Sequence, residues 1–201
     1  MHPPIAFWFE FGSNYSYLSL MRIEALAARA KAPLRYEPFL LGPIFRELGW
    51  RSSPFAEQRA KGEYVWRDMA RRAAKYGLPF TRPGVFPRRA LLPMRVAATN
   101  SEQPWIGAYC RRIMLCNWAD DVEIDDADVV LAALADLVDD PPVVLAQAGM
   151  QAAKDRLRAQ TDRARGLGIF GAPTFIVEGE MFWGDDRLED ALDYAQSLQR
   201  A

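Results

Sequence analysis

The stretch Phe7-Trp8-Phe9-Glu10-Phe11-Gly12-Ser13-Asn14-Tyr15-Ser16-Tyr17-Leu18 decides how this chain is read. Residues 5–11 mix aromatic and aliphatic side chains, as a buried strand does. Gly12-Ser13-Asn14 break that run. Beyond them Leu18, Met21, Ile23, Leu26, Ala27 and Ala30 recur at helical spacing to about Lys31. After Pro33, Leu34–Leu41 reads as a second strand, ended by Gly42-Pro43. The product is a β-α-β unit, whose crossover between parallel strands is expected to be right-handed.

Between 43 and 165 there is almost no strand signal. Helices are expected over 55–76, 88–100, 104–118, 126–138 and 150–166, separated by Gly77-Leu78-Pro79, Gln103-Pro104, an acidic stretch at 120–128 and Asp139-Asp140-Pro141-Pro142. The acidic stretch reads as a solvated turn with helix caps rather than a metal site. Strand character returns at Thr174-Phe175-Ile176-Val177, and Glu178-Gly179-Glu180 turns the chain into Met181-Phe182-Trp183. Asp186 and Glu189 then have capping-box spacing, with Asp in place of Ser or Thr. Leu188, Leu192, Ala195 and Leu198 form one apolar stripe. The order β-α-β, helical block, β-β-α predicts an α/β protein: a thioredoxin-like fold with a large all-helical insertion. Residues 1–42 and 166–201 would form the thioredoxin-like part and 43–165 the insertion, together one compact unit.

Bulk properties narrow the function. With 201 residues, 50% of them apolar, the chain can bury a sizeable core. Lys and Arg number 25 against 26 Asp and Glu, so the net charge of −1 makes no electrostatic case for nucleic acid or an anionic membrane. The apolar run at 5–9 stops at Glu10, too short for a signal core or a membrane span, and a cytoplasmic protein is expected. Cys110 and Cys116 lie six apart, about 240° around a helix, and no CxxC occurs; both read as small buried hydrophobes. His2 is the single histidine, which removes histidine-dependent triads and multi-histidine metal sites. No metal is expected.

Ser13 stands where a strand ends and a helix begins. A helix N-terminus offers unpaired N–H groups and roughly half a positive charge, a place that would depress a cysteine's pKa. Serine cannot be a redox thiol, but its hydroxyl can donate to a bound thiolate. Lowering a thiol pKa by ~2 units takes about 2.7 kcal/mol, and one charge-assisted hydrogen bond contributes ~1.5–3 kcal/mol. The plainer reading is an N-cap, serine's commonest job at such a position. Pro173 is also open to two readings: an ordinary strand-start residue, or a cis-proline that leaves the Ala172 backbone free to pair with an extended peptide.

Three segments taken together resemble the 2-hydroxychromene-2-carboxylate isomerase family, a relative of kappa-class glutathione transferases and of the DsbA-like oxidoreductases. They are Phe9-Glu10-Phe11-x-Ser13-x-Tyr15-Ser16-Tyr17-Leu18, Phe170-Gly171-x-Pro173-Thr174 and Trp183-Gly184-x-Asp186-Arg187-Leu188. The likeness runs over essentially the whole chain. It implies a glutathione-dependent isomerase acting on a small aromatic substrate, by reversible addition of the thiolate. Ser13 would activate the glutathione sulfur, Ala172 and Pro173 would hold its cysteinyl part, and Asp185 and Asp186 would take the γ-glutamyl end. Lys61 would meet a carboxylate, and Lys61, Tyr64 and Asp68 share a helix face at spacings of three and four. A homodimer stays open. Two departures stand out: Asn14 replaces a common proline, and Phe45–Ala56, with Arg46 and Trp50, does not reproduce the substrate contacts of the naphthalene-pathway isomerases. A kappa-type transferase and a non-redox binding protein are the rival readings.

Without a CxxC pair, the chain should not accelerate insulin reduction by dithiothreitol. A clear rate gain over the protein-free control would return a disulfide oxidoreductase to first place.

Overall fold

Strand β1 (Ile5–Phe9) is buried along its whole length, which is why its sequence shows no polar alternation. A computed structural model of the chain describes residues 3–198; His2 lies outside them. After β1 comes helix α1 (Asn14–Ala30), closed by Lys31 in the left-handed conformation (φ 54°). Strand β2 (Leu34–Pro38) then pairs parallel to β1, with Ile5 opposite Leu34 and Phe9 opposite Pro38. Strands β3 (Thr174–Val177) and β4 (Glu180–Trp183) complete a four-stranded sheet of order β2-β1-β3-β4, in which β3 runs antiparallel to both neighbours. Glu178 and Gly179, both at positive φ, form the two-residue hairpin turn.

Eight helices fill the interval between β2 and β3: α2 (Leu41–Glu47), α3 (Pro54–Glu57), α4 (Arg59–Tyr76), α5 (Leu91–Thr99), α6 (Ile106–Trp118), α7 (Ala127–Leu134), α8 (Pro141–Gly149) and α9 (Gln151–Gly166). A 3-10 turn (Asp185–Arg187) leads into α10 (Leu188–Ser197). One sheet face carries Phe7, Phe9 and Phe175 into the main core with α1 and α10; Phe7 stacks on Phe175 at 5.4 Å. Ala6 and Trp8 on the other face pack with Phe39, Ile44, Ala164 and Ile169.

Prolines account for most of the boundary differences from the sequence reading. The second strand ends at Pro38, not Leu41, because Leu41-Gly42-Pro43 open α2. Pro43 is the third helical residue, where its missing N–H is one of the groups with no intrahelical partner. Pro141-Pro142 likewise begin α8 instead of separating helices, and Asp140 accepts the Val143 N–H at 3.1 Å. The segment 55–76 is two helices: a Cβ on Gly62 would come within 2.3 Å of the Phe55 carbonyl, so α3 and α4 meet only through a glycine. Asp186 does not cap α10. Its carboxylate pairs with Arg187 at 3.1 Å, and the 3-10 turn takes the place of a cap.

The insertion grips the turn after β1. Asn117 Nδ2 and Trp118 Nε1, at the end of α6, both donate to the Phe11 carbonyl, at 2.9 and 3.0 Å. Buried Arg88 in turn donates to Asn117 Oδ1 at 3.0 Å, to the Val122 carbonyl at 2.8 Å and to Asp121 at 2.6 Å. Asn117→Ala removes a donor and an acceptor from this fully buried chain. It should cost ~1–3 kcal/mol in urea unfolding; an unchanged midpoint would show that Trp118 alone fixes the turn.

Candidate active site

Ser13 is extended (φ −90°, ψ 117°) and caps α1, its Oγ accepting the Ser16 N–H at 3.3 Å. The same hydroxyl donates to the Ala172 carbonyl at 2.9 Å, across 159 residues of sequence. The Ala172–Pro173 bond is cis. The N-cap and the meeting with the second loop thus coexist at one atom. That loop is itself tied down: Thr174 Oγ1 donates to the Gly171 carbonyl at 2.8 Å, and the Gly184 N–H to the Pro173 carbonyl at 3.0 Å. Gly184 (φ 115°) and Gly171 are both required as glycines, the latter because a Cβ would lie 2.3 Å from Trp183 Nε1. Phe170 and Trp183, edge to face at 4.7 Å, stand exposed beside the loop.

Asn14 Nδ2 and Ser16 Oγ are buried and have no partner. With the positive end of a 17-residue helix and the Ser13 hydroxyl, they favour an acceptor-rich, negatively charged group. Neither cysteine supplies one: burial pushes the thiols of Cys110 and Cys116 up, away from the reactive thiolate.

The two aspartates of the third motif separate. Asp185 is 1% exposed, and its carboxylate is filled by Ser19 Oγ and Arg22 Nη2 at 2.9 Å and by Arg72 Nη1 and Tyr76 Oη at 3.3 Å. It ties α1 and α4 to the last turn and has no room for a ligand ammonium. Asp186 is at the surface beside Arg187. On α4, Asp68 accepts the Tyr15 hydroxyl at 2.8 Å and Arg72 Nε at 3.0 Å. Burial pushes Asp68 up, but Tyr15 and Arg72 outweigh it and hold the carboxyl below its ordinary value. Lys61 and Tyr64, on the same helix, are exposed, and Asp68 is half-buried. Lys61 Nζ lies 5.7 Å from the Phe55 ring centre, and Phe55 meets Tyr15 edge to face.

Phe55 also lines a cleft of about 490 Å³ with Arg59, Gly62, Trp66, Arg82 and Phe86. Arg82 lies over the Trp66 ring at 5.2 Å. Glu63 lines the same cleft and pairs with Arg82 at 3.5 Å, so its aromatic walls with the Arg59 guanidinium suit a flat molecule carrying one anionic group. Within 45–56, Phe45 packs against the far-side cluster, Arg46 is exposed and Trp50 is half-buried.

Glu10 was not singled out as a site residue from the sequence. The signal was a lone charge in an otherwise apolar strand. Burial pushes its carboxyl up to about 7, against one opposing contact from the Leu41 N–H. Among the described residues no group of three or more His, Cys, Asp or Glu is placed to hold a metal ion, and no helix is long and apolar enough to cross a membrane.

A thioredoxin-type site with serine at the helix N-terminus is the class that this geometry defines. The chain belongs to the family of the DSBA-like thioredoxin domain, whose model matches residues 4–196. It is 27% identical over 191 residues to a 2-hydroxychromene-2-carboxylate isomerase of Sphingobium xenophagum, covering 94% of this chain and 96% of the relative. It is 28% identical to glutathione S-transferase kappa 1 of Caenorhabditis elegans, covering 98% and 92%. A solved 2-hydroxychromene-2-carboxylate isomerase superposes with TM-score 0.88 over 98% of this chain and 96% of the other, at 24% identity, which shows a shared fold.

The Glu10 shift has a measurable consequence. Its carboxyl holds a proton to higher pH in the fold than in the unfolded chain, so its contribution to stability is present below about 4.5 and lost as pH rises through 7. The full loss is on the order of 3 kcal/mol. Glu10→Gln should therefore gain on wild type as pH rises across this window. Parallel stability curves for the two proteins would contradict a raised Glu10 pKa.

Proposed function

We propose that this protein is a glutathione-dependent isomerase of the 2-hydroxychromene-2-carboxylate type, interconverting a chromene carboxylate and a trans-benzylidenepyruvate. The observation that carries the reading is the Ser13 Oγ to Ala172 carbonyl contact at 2.9 Å, which sets a hydroxyl donor, a helix N-terminus and the Pro173 loop around one point. The unpartnered donors of Asn14 and Ser16 support the fit of a thiolate there.

Bound glutathione supplies a sulfur nucleophile that adds to the substrate and leaves again, freeing a former double bond to rotate. The protein's residues provide orientation and charge stabilisation. Ser13 exchanges its hydrogen bond to Ala172 for one to the sulfur. The Ala172–Pro173 backbone pairs with the cysteinyl part. Asp186, with its carboxylate at the surface, takes the γ-glutamyl ammonium, while Asp185 holds the turn that presents it. The aromatic substrate occupies the cleft of Phe55, Trp66 and Phe86, with Arg59 offered to its carboxylate and Arg82 held by Glu63 at 3.5 Å.

The kappa transferase relative supports a second reading, in which the conjugate is released. Following substrate absorbance and free thiol together separates the two. Isomerisation leaves the thiol concentration constant, whereas stoichiometric thiol loss identifies a transferase. Ser13→Ala should lower turnover roughly ten- to a hundred-fold, the equivalent of one charge-assisted hydrogen bond, with partial recovery at higher pH. An ultraviolet titration of the bound thiolate that gives wild type and mutant the same pKa, at equal rates, would reduce Ser13 to a helix cap.

A further inference from the structure

We propose that the basic side chains on the solvent side of α4 and in the loop before α3 form an electrostatic funnel. It draws small organic anions to the cleft of Phe55, Trp66 and Phe86. The inference rests on the reading of that cleft as the substrate site, and adds how a substrate reaches it and which charge it carries. The chain's net charge of −1 covers a strong division. Residues 43–90 hold eleven Lys and Arg against four Asp and Glu, leaving 14 against 22 in the remainder. One segment is thus +7 and the rest of the molecule −8. No Lys or Arg stands between Arg112 and Lys154, a span with nine Asp and Glu. Every residue that lines the cleft belongs to the basic segment.

Folding does not cancel the excess. The acids of the segment are taken up one by one: Glu63 by Arg82, Asp68 by Arg71 and Arg72, Glu47 by Arg165 of α9, and Glu57 by the Ser52 N–H. Arg88 and Arg89 turn to Asp121, Glu123 and Asp125. Arg46, Arg51, Arg59, Lys61, Arg67 and Lys75 are exposed and have no acidic partner among the described residues. Four of these six stand on α4. Arg59 is at the cleft, Lys61 Nζ lies 5.7 Å from the Phe55 ring centre, and Arg67 follows Trp66 one turn beyond Glu63. The free cations therefore begin at the cleft and continue along the exposed side of the helix that forms its wall.

Such an arrangement works on arrival. A cation already paired with an acid has only a short-range field, whereas unpaired cations of one sign add. At about 0.15 M salt the Debye length is roughly 8 Å, so the sum is felt near α4 and the distant acids are screened. A cleft with apolar walls concentrates that field and raises the local concentration of an anion. A small anion near α4 meets the basic excess alone. A polyanion long enough to span the molecule also meets the acidic remainder, which is why the surface fits a small acid better than nucleic acid. Charges of this kind change the rate of association and its salt dependence, and leave the rate of departure to the contacts inside the cleft. An aromatic acid is favoured over a neutral molecule of the same shape before either has touched Phe55 or Trp66.

The test is stopped-flow binding of trans-benzylidenepyruvate and of its methyl ester, without glutathione, at ionic strengths from about 0.01 to 1 M. The acid should associate with wild type roughly tenfold faster at the low end than at the high end, with little change in its dissociation rate. The ester's association should stay flat. Arg51→Glu/Arg67→Glu changes two exposed positions that do not line the cleft. It should slow the acid about tenfold at low salt and match wild type at high salt, a convergence that a damaged cleft would not show. Lys154→Glu/Arg158→Glu makes the same change of net charge on α9, whose Ala164 packs on the far side of the sheet, and should keep most of the low-salt advantage. A flat salt response for the acid, or equal losses in the two variants, overturns the funnel and leaves the substrate reading intact. Binding of duplex DNA at about 0.15 M salt, lost in Arg51→Glu/Arg67→Glu, overturns the assignment to a small anion. Failure of wild type to bind either compound overturns the funnel and the substrate reading together.

Discussion

The carbonyl oxygen of Phe11 accepts two hydrogen bonds from the end of α6, and much of the site's precision follows from that pairing. The turn that follows β1 would otherwise leave the Phe11 carbonyl without a partner and be free to move. Asn117 and Trp118 instead clamp it from the insertion, and Arg88 clamps Asn117. The helical block is thus part of the apparatus that aims Ser13, besides lining the aromatic cleft. Asp185 does the corresponding work on the other side, drawing α1, α4 and the turn before α10 onto one buried carboxylate. Breaking such a buried set leaves unpaired charge and costs more than the set contributes when whole.

The sequence made the architecture legible because its signals were local. The apolar run before Gly12, the helical stripe after Ser13 and the Thr174–Trp183 hairpin each belong to a few consecutive residues. What it hid depended on distance. Pro43 and Pro141 read as breakers because a proline ends one element and begins the next with the same ring; only the finished helix shows which. Asp185 and Asp186 are neighbours with identical side chains, and nothing local says that one turns into the core towards Arg22 and Arg72 while the other meets solvent. Glu10 was passed over for a related reason, since its unusual environment comes from Leu41 and the far-side cluster, which the sheet brings together.

Serine in place of cysteine changes what this site can do more than it changes how the site is built. A helix N-terminus stabilises a negative charge whatever atom carries it. A serine hydroxyl does not ionise there, so the charge has to arrive with a ligand, and the hydroxyl turns from nucleophile into donor. The neighbouring donors of Asn14 and Ser16 then become complementary to a visitor.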